Sequence, residues 1–250
     1  MRFITHAGMY HADDVCATAL LQTVFGHDVE IIRTNNLGDI IVEDDDIVFD
    51  IGGGRFDHHQ EGSEVRENGI PYAAFGLLWK EFHFKLDICG WAAHRMDEDF
   101  IQYIDQTDNF GQVKYPNTLS AMVTSAFYAG TSFEECVAMV RPLLKGVIES
   151  YSKLSMQRVT VVNKSIEDKS ALFEDTQNHY DSRVFQDTGI KLIIGPSNRG
   201  DGVVLRSLDS EKFPIRIPEG IEPVFLHKAK FTGTFKTVED ARAVARYSLA

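Results

Sequence analysis

The chain has 250 residues, with 25 Lys and Arg against 37 Asp and Glu, a formal net charge of −12. That balance excludes a histone-like or polybasic binder, and a composition of 44% hydrophobic and 25% charged residues excludes a disordered or collagen-like chain. The length admits one large domain or two smaller ones, since single cores stop growing near ~250–300 residues. Phe3-Ile4-Thr5 is apolar and β-branched and ends at His6-Ala7-Gly8, so it reads as a strand; residues 11–25 then read as a helix with Val15, Ala19, Leu20, Val24 and Phe25 on its apolar positions. Residues 29–33 and 47–51 read as further strands, the latter running into the tight turn Gly52-Gly53-Gly54. Strands alternating with helices predict a parallel sheet whose ligands bind at the strands' carboxyl ends. His6 and Asp50 stand at two such ends.

From residue 72 the pattern turns helical, over 72–84, 91–106 and 118–128. Trp79, Phe82 and Phe84 fall at helical spacing and read as core rather than as base-stacking platforms. Another helix starts at Ser132, where Glu135 three residues on completes a capping box worth on the order of 1 kcal/mol. It runs past Pro142 into a polar connector. Strands return at 191–195, 202–206 and 223–227, and a helix covers 238–248. The expected organisation is residues 1–130, a connector over 131–170, and a smaller α+β domain over 171–250.

Cys16, Cys89 and Cys136 are odd in number and far apart, which suggests neither a disulfide frame nor a thiolate zinc site and fits a reducing compartment. No signal-like run opens the chain and no stretch approaches the ~20 apolar residues that span a bilayer, so a soluble, cytoplasmic protein without membrane contact is expected. Charge is uneven: residues 1–190 carry 15 basic and 30 acidic side chains, residues 191–250 carry 10 and 7. Carboxylates crowded in one fold repel unless cations compensate them.

Ten chemically informative side chains fall in four clusters: His6, His11, Asp13 and Asp14; Asp50; Asp57, His58 and His59; Asp105 and Asp108. Imidazole mixed with carboxylate suits Mn²⁺, Co²⁺, Fe²⁺ or Zn²⁺, where an all-oxygen set would suit Mg²⁺ or Ca²⁺. A lone histidine is usually a satisfied core or surface residue, but Asp57-His58-His59 is hard to explain by packing. The Gly52–Gly54 run lacks both the G-x-x-x-x-G-K-[ST] and the G-x-G-x-x-G patterns, so it is read as a turn and not as a phosphate loop.

The segments THAGMYHADDV, VFDIGGG, RFDHHQ and IDQTDNFG occur in that order and resemble the four metal-binding motifs of the DHH phosphoesterase superfamily. Within it the chain is most similar to the Myg family, the melanocyte-proliferating-gene proteins, known also as metal-dependent protein hydrolases. The opening TH-x-G-x-Y-H-x-D and the closing PVFLHKAKFTGTFKTVEDARAVA carry that likeness to both ends. The resemblance implies an α/β fold, with a parallel-sheet DHH-type N-terminal domain, flanking helices, a connector helix and an α+β substrate-binding domain. It implies two divalent ions, Mn²⁺ foremost, one held by His6, His11 and Asp50 and the other by Asp13, Asp50, His58 and Asp108, with Asp50 bridging. His59 would meet the scissile phosphoryl group as a donor or general acid, and Asp57 would orient the histidines, unless it serves as a turn cap. His227, Lys228, Lys230, Thr232, Gly233 and Arg206 would contact the substrate. Arg199, beside the Gly200-Asp201-Gly202 turn, reads either as a phosphate contact or as a solvated charge.

Two departures from the family pattern stand out. Position 7 is Ala where relatives often carry Asn, and Phe110 precedes Gly111 in the fourth motif, which leaves both Asp105 and Asp108 as ligand candidates with Asp108 favoured by spacing. The implied activity is 3'-5' exonuclease or phosphodiesterase action on short RNA or DNA. A hydrolase of a small phosphate compound, such as a pyrophosphate, cyclic dinucleotide or phosphorylated metabolite, and a non-catalytic metal-binding module are the alternatives. The acidic surface favours a small substrate. Peptide hydrolysis is not supported, because no H-E-x-x-H occurs. Oligomeric state is open, with a homodimer compatible.

Overall fold

Phe3–His6 forms β1, and its Phe3, Ile4 and Thr5 side chains are fully buried. In the computed structural model, which describes residues 1–111, 118–174, 180–200 and 202–250, β1 is the middle strand of a parallel three-stranded sheet. It pairs with β2 (Ile31–Thr34) on one side and β3 (Ile47–Val48) on the other. The fold is therefore α/β, as expected. The helix α1 (Ala12–Phe25) is buried without a break from Ala12 to Leu21, so it lies inside the unit and packs on α2 (Ala74–Phe82), α4 (Gln102–Phe110) and α5 (Leu119–Tyr128).

The stretch expected as one helix over 91–106 is instead α3 (Gly90–Met96), a π-helical turn at Asp97–Ile101, and α4. In a regular helix two residues eight apart point about 80° away from each other. The wider turn absorbs that offset, and Asp97 and Asp105 both meet the Arg66 guanidinium at 2.6 Å. Phe84 also departs from expectation: it lies on a 3-10 turn at His83–Lys85 and is 66% exposed, whereas Trp79 is buried, its indole N–H donating to the Ala93 carbonyl. The helix α6 (Phe133–Val162) continues through Pro142, and its start is capped reciprocally by Ser132 and Glu135.

The chain divides into two units, Met1–Ser155 and Met156–Ala250. The second holds a five-stranded sheet in the order β4-β5-β6-β8-β7. The strands are β4 (Ser170–Leu172), β5 (Leu192–Pro196), β6 (Val203–Ser207), β7 (Phe225–Leu226) and β8 (Thr232–Phe235). Only β4 and β5 run parallel. The helix α7 (Val238–Leu249) packs Ala241, Val244 and Ala245 against Leu192, Ile194, Leu205 and Phe235. The sequence reading missed β4 and β8, since three residues carry too little alternation and Thr-Gly-Thr-Phe reads as a turn. Asp201 of the Gly200–Gly202 turn lies outside the described residues. Among the described residues no helix is long and apolar enough to cross a membrane.

Among the described glycines, Gly76 leaves the least room for a side chain. A Cβ there would run into the Asp105 carboxylate and lie 2.7 Å from Arg66 Nη2, and neither group can yield because each holds the other. Gly76→Ala is expected to cost about 1–3 kcal/mol, seen as a lower urea midpoint with an unchanged m-value.

Candidate metal centre

The three parallel strands set the position of the site. β1 ends at His6 and β3 leads into Asp50, while the first turn of α1 supplies Asp13 and Asp14 and α4 supplies Asp108. Asp50 has a left-handed backbone, φ +58°. Aspartate tolerates this region better than most residues, and Gly52 and Gly53, both at positive φ, continue the turn. The Asp50 carboxylate then sits between two imidazoles. Its Oδ2 is 3.2 Å from His6 Nε2, and its Oδ1 is 3.2 Å from His58 Nε2.

Around it lie three overlapping groups whose ligand atoms fall within 4.8 Å of one another: His6, Asp14 and Asp50; Asp13, Asp50, His58 and Asp108; and Asp50, His58 and His59. His58 Nε2 is also 3.1 Å from Asp108 Oδ2. His6 Nδ1 lies 3.0 Å from the Ala7 carbonyl, which accepts its proton and leaves Nε2 aimed at Asp14 and Asp50. Asp13 receives the Ala74 and Phe75 amides at 3.0 and 2.8 Å, so the N-terminus of α2 carries this buried charge. Asp14 Oδ1 accepts the His11 and Val15 amides at 2.7 and 3.0 Å. Its Oδ2 is buried with no hydrogen-bond donor and stands 3.2 Å from His6 Nε2.

The electrostatics follow from that crowding. Burial, then the neighbouring Asp108 and Asp50, push Asp13 well above the usual carboxylate range, and burial raises Asp14. The carboxylates of Asp14 and then Asp50, each 3.2 Å from Nε2, raise His6 to about 11. Burial works against charge on His58, yet Asp108 and Asp50 outweigh it and bring His58 to about 11 as well. Asp50 is likewise opposed by burial, but His58 and His6 hold it near 2. The cluster thus demands positive charge. A buried carboxylate oxygen without a donor, imidazole nitrogens converging on shared carboxylates and a mixed N/O donor set all fit a borderline divalent ion, and these residues could hold metal ions.

The sequence-derived candidates fall out as follows. His6, Asp13, Asp50, His58 and Asp108 come together. His11 does not enter the three groups: its side chain is about half exposed, with Nδ1 3.5 Å from Asp108 Oδ1. Asp14 occupies the place beside His6, and the sequence could not separate the two adjacent aspartates because both lie in the first turn of α1. Asp108 lines the cleft, whereas Asp105 is fully buried against Arg66. Asp57 Oδ2 accepts the Gly53 amide at 2.6 Å and its Oδ1 meets His59 Nδ1 at 2.7 Å. Despite its burial, the Gly53 amide and His59 hold Asp57 below the usual range. His59 itself is exposed to the cleft.

Arg33, at the end of β2, was not singled out from sequence. It donates to the His6 and Gly8 carbonyls at 3.1 and 3.2 Å, rests over the Phe133 ring at 4.3 Å and comes within 3.9 Å of Asp14 Oδ2. In the second unit, His227 Nδ1 accepts the Ala229 amide and its ring lies tilted against Phe231, centroids 4.3 Å apart. Lys228 and Lys230 are exposed, and Arg206 and Thr232 lie on β6 and β8. A Cβ on Gly233 would meet the Phe225 carbonyl at 3.2 Å and the Phe235 ring at 3.3 Å, so the sheet packs closely at this glycine.

These features define an α/β protein with an Asp/His cluster at the carboxyl edge of a parallel sheet. The model of the MYG1 exonuclease family, described as "Uncharacterised protein family (UPF0160)", matches residues 2–184, and the chain belongs to that family. It is 31% identical over 156 residues to the human (Homo sapiens) protein named MYG1 exonuclease, covering 49% of this chain and 41% of that one. It is 30% identical to the Bos taurus protein of the same name, covering 49% and 40%. The Dictyostelium discoideum MYG1 protein is 29% identical over 136 residues, covering 46% and 40%. The matches thus span about two fifths of the length of these curated relatives. No solved structure matches the chain.

Two outcomes are expected. Asp50 is common to all three groups, so Asp50→Ala should bring bound Mn²⁺ to background after loading and desalting, measured by inductively coupled plasma mass spectrometry, while Asp14→Ala should lose only part of it. In EDTA, His6 and His58 have folded-state values of about 11 against about 6.5 when unfolded. Their contribution is fully present below pH ~6.5 and is lost as pH rises towards 11. Thermal melts should therefore show the metal-free protein losing stability from pH 7 to 10, more steeply than the Mn²⁺-loaded protein.

Proposed function

We propose that the chain is a divalent-metal-dependent phosphoesterase of the DHH type, acting as a 3'-5' exonuclease or phosphodiesterase on short RNA or DNA. The observation that carries this reading is the sharing of one carboxylate, Asp50, between two sets of ligands that each add imidazole and carboxylate donors. The relatives named MYG1 exonuclease support the same class of reaction. His6, Asp14 and Asp50 would hold one ion, with His11 near by; Asp13, Asp50, His58 and Asp108 would hold the other. Mn²⁺ is the first choice and Mg²⁺, Co²⁺, Fe²⁺ or Zn²⁺ the alternatives.

Bound there, such ions acidify water and neutralise charge on phosphoryl oxygens. The chain's own residues do the rest. Asp57 accepts the Nδ1 proton of His59 and fixes the ring, which leaves Nε2 in the cleft to bind a phosphoryl oxygen or to protonate the leaving oxygen. The left-handed turn at Asp50 keeps both of its oxygens available. In the second unit, His227, Lys228, Lys230, Thr232, Gly233 and Arg206 are proposed to contact substrate phosphates. The domain reading that goes with this is a catalytic part over 1–130, a connector over 131–170 and a substrate-binding part over 171–250.

A second reading, hydrolysis of a small phosphate compound, is favoured by one observation: the cleft of about 760 Å³ over the Asp/His groups is lined by histidine but by no Lys or Arg. That volume suits a nucleotide-sized ligand. The test is Mn²⁺-dependent degradation of a labelled seven-nucleotide single-stranded RNA. Wild type should release mononucleotides stepwise, EDTA and Asp50→Ala should abolish release, and His59→Ala should slow it by about 10²–10⁴-fold. An intact oligonucleotide in the presence of metal-loaded protein would overturn the nuclease reading in favour of the small-phosphate one.

A further inference from the structure

Asn109 has one possible amide orientation. Its Nδ2 donates to the Tyr72 carbonyl at 3.1 Å and to the Asp105 carbonyl at 2.9 Å. Turning the amide over would set its oxygen against those two carbonyl oxygens, so Oδ1 is the atom that faces His58 Nδ1 at 3.3 Å. An amide oxygen offers only lone pairs. The contact is therefore a hydrogen bond only when the proton sits on His58 Nδ1. The opposite nitrogen, Nε2, is the one that lies 3.1 Å from Asp108 Oδ2 and 3.2 Å from Asp50 Oδ1.

We propose that Asn109 is a positioning residue that locks His58 as the Nδ1–H tautomer, so that the Nε2 lone pair is directed at a divalent ion shared with Asp13, Asp50 and Asp108. This rests on the reading of His58 as a metal ligand. A ligating histidine generally needs an acceptor behind it to fix ring and tautomer. His6 has the Ala7 carbonyl in that place, and His59, outside the proposed ligand sets, is fixed in the same way by Asp57. At His58 the acceptor is a neutral amide, and the surroundings explain the choice: a carboxylate at position 109 would face the Tyr72 and Asp105 carbonyl oxygens and would add charge beside Asp50, Asp105 and Asp108. The amide's two donors are what hold its oxygen in place.

The test uses the full chain, labelled with ¹⁵N-histidine and loaded with Zn²⁺, a diamagnetic probe. Long-range ¹H–¹⁵N spectra, assigned with His58→Gln, should show His58 protonated at Nδ1 and coordinated through Nε2. Asn109→Ala should bind Zn²⁺ about 10–100-fold more weakly and lose the slowly exchanging Nδ1–H signal. A loaded wild type with His58 protonated at Nε2, or an Asn109→Ala protein with unchanged Zn²⁺ affinity, overturns the assignment and leaves the metal centre standing. Wild type that binds no Zn²⁺ overturns both. Should Asn109→Ala fail to fold, the wild-type spectrum alone decides between the two nitrogens.

Discussion

Asp13 and Asp14 each bury a carboxylate within reach of that of Asp50, and the first unit is arranged to make that tolerable. An unpaired buried carboxylate is so costly that it normally gives up its charge. Each of the three is met by backbone donors or imidazole. Asp13 takes two amides from the start of α2, and Asp14 takes two from the start of its own helix. Asp50, which has no helix end to lean on, is flanked by His6 and His58. Helix placement and charge placement are one problem here: α1 and α2 pack together such that the first turn of α1 delivers Asp13 to the free N–H groups of α2.

A second circle of residues keeps those donors in register. Arg66 is buried, lies over the Tyr72 ring at 3.8 Å, and binds Asp97 and Asp105 together. Asp105 in turn accepts the Gly76 amide at 3.2 Å, in the same helical turn that holds Asp13. Removing one partner of such a network would strand a buried charge, a loss of about 3–5 kcal/mol where comparable pairs have been broken. The network contributes little chemistry of its own. It fixes the distance between α2 and α4, and so the distance between Asp13 on one side and Asp108 and Asn109 on the other.

The legibility of the sequence follows the range of the forces involved. His6 and Asp50 were readable as strand-end residues because alternation of strands and helices is a local pattern, and the clustering of imidazole with carboxylate pointed to groups that could hold metal ions. That Asp14 and not His11 enters these groups was not readable. Both flank the same helix start, and only the three-dimensional course of α1 turns Asp14 inward and leaves His11 at the rim. Asp105 and Asp108 differ for the same reason, since three residues on a helix place them on neighbouring faces and the π turn before them sets which face looks at Arg66. Arg33, Arg66 and Asn109 carry no local signal for these roles, because Arg33 reaches the His6 and Gly8 carbonyls across 27 and 25 residues, Arg66 reaches Asp105 across 39, and Asn109 reaches His58 across 51.

The charge of the cleft sets a condition on any substrate. Thirteen residues line it, with carboxylates and histidines but no Lys or Arg, so without added cations a phosphate would meet a repulsive field. On the proposed reading, divalent ions reverse that field locally, and binding of a phosphoester is then conditional on metal loading. A cleft that relied on arginine would hold phosphate whether or not it could hydrolyse it. One that relies on ions bound by Asp50 and its neighbours holds phosphate only when the groups that activate water are also present, so on that reading recognition and chemistry depend on the same carboxylates, those of Asp13, Asp14, Asp50 and Asp108.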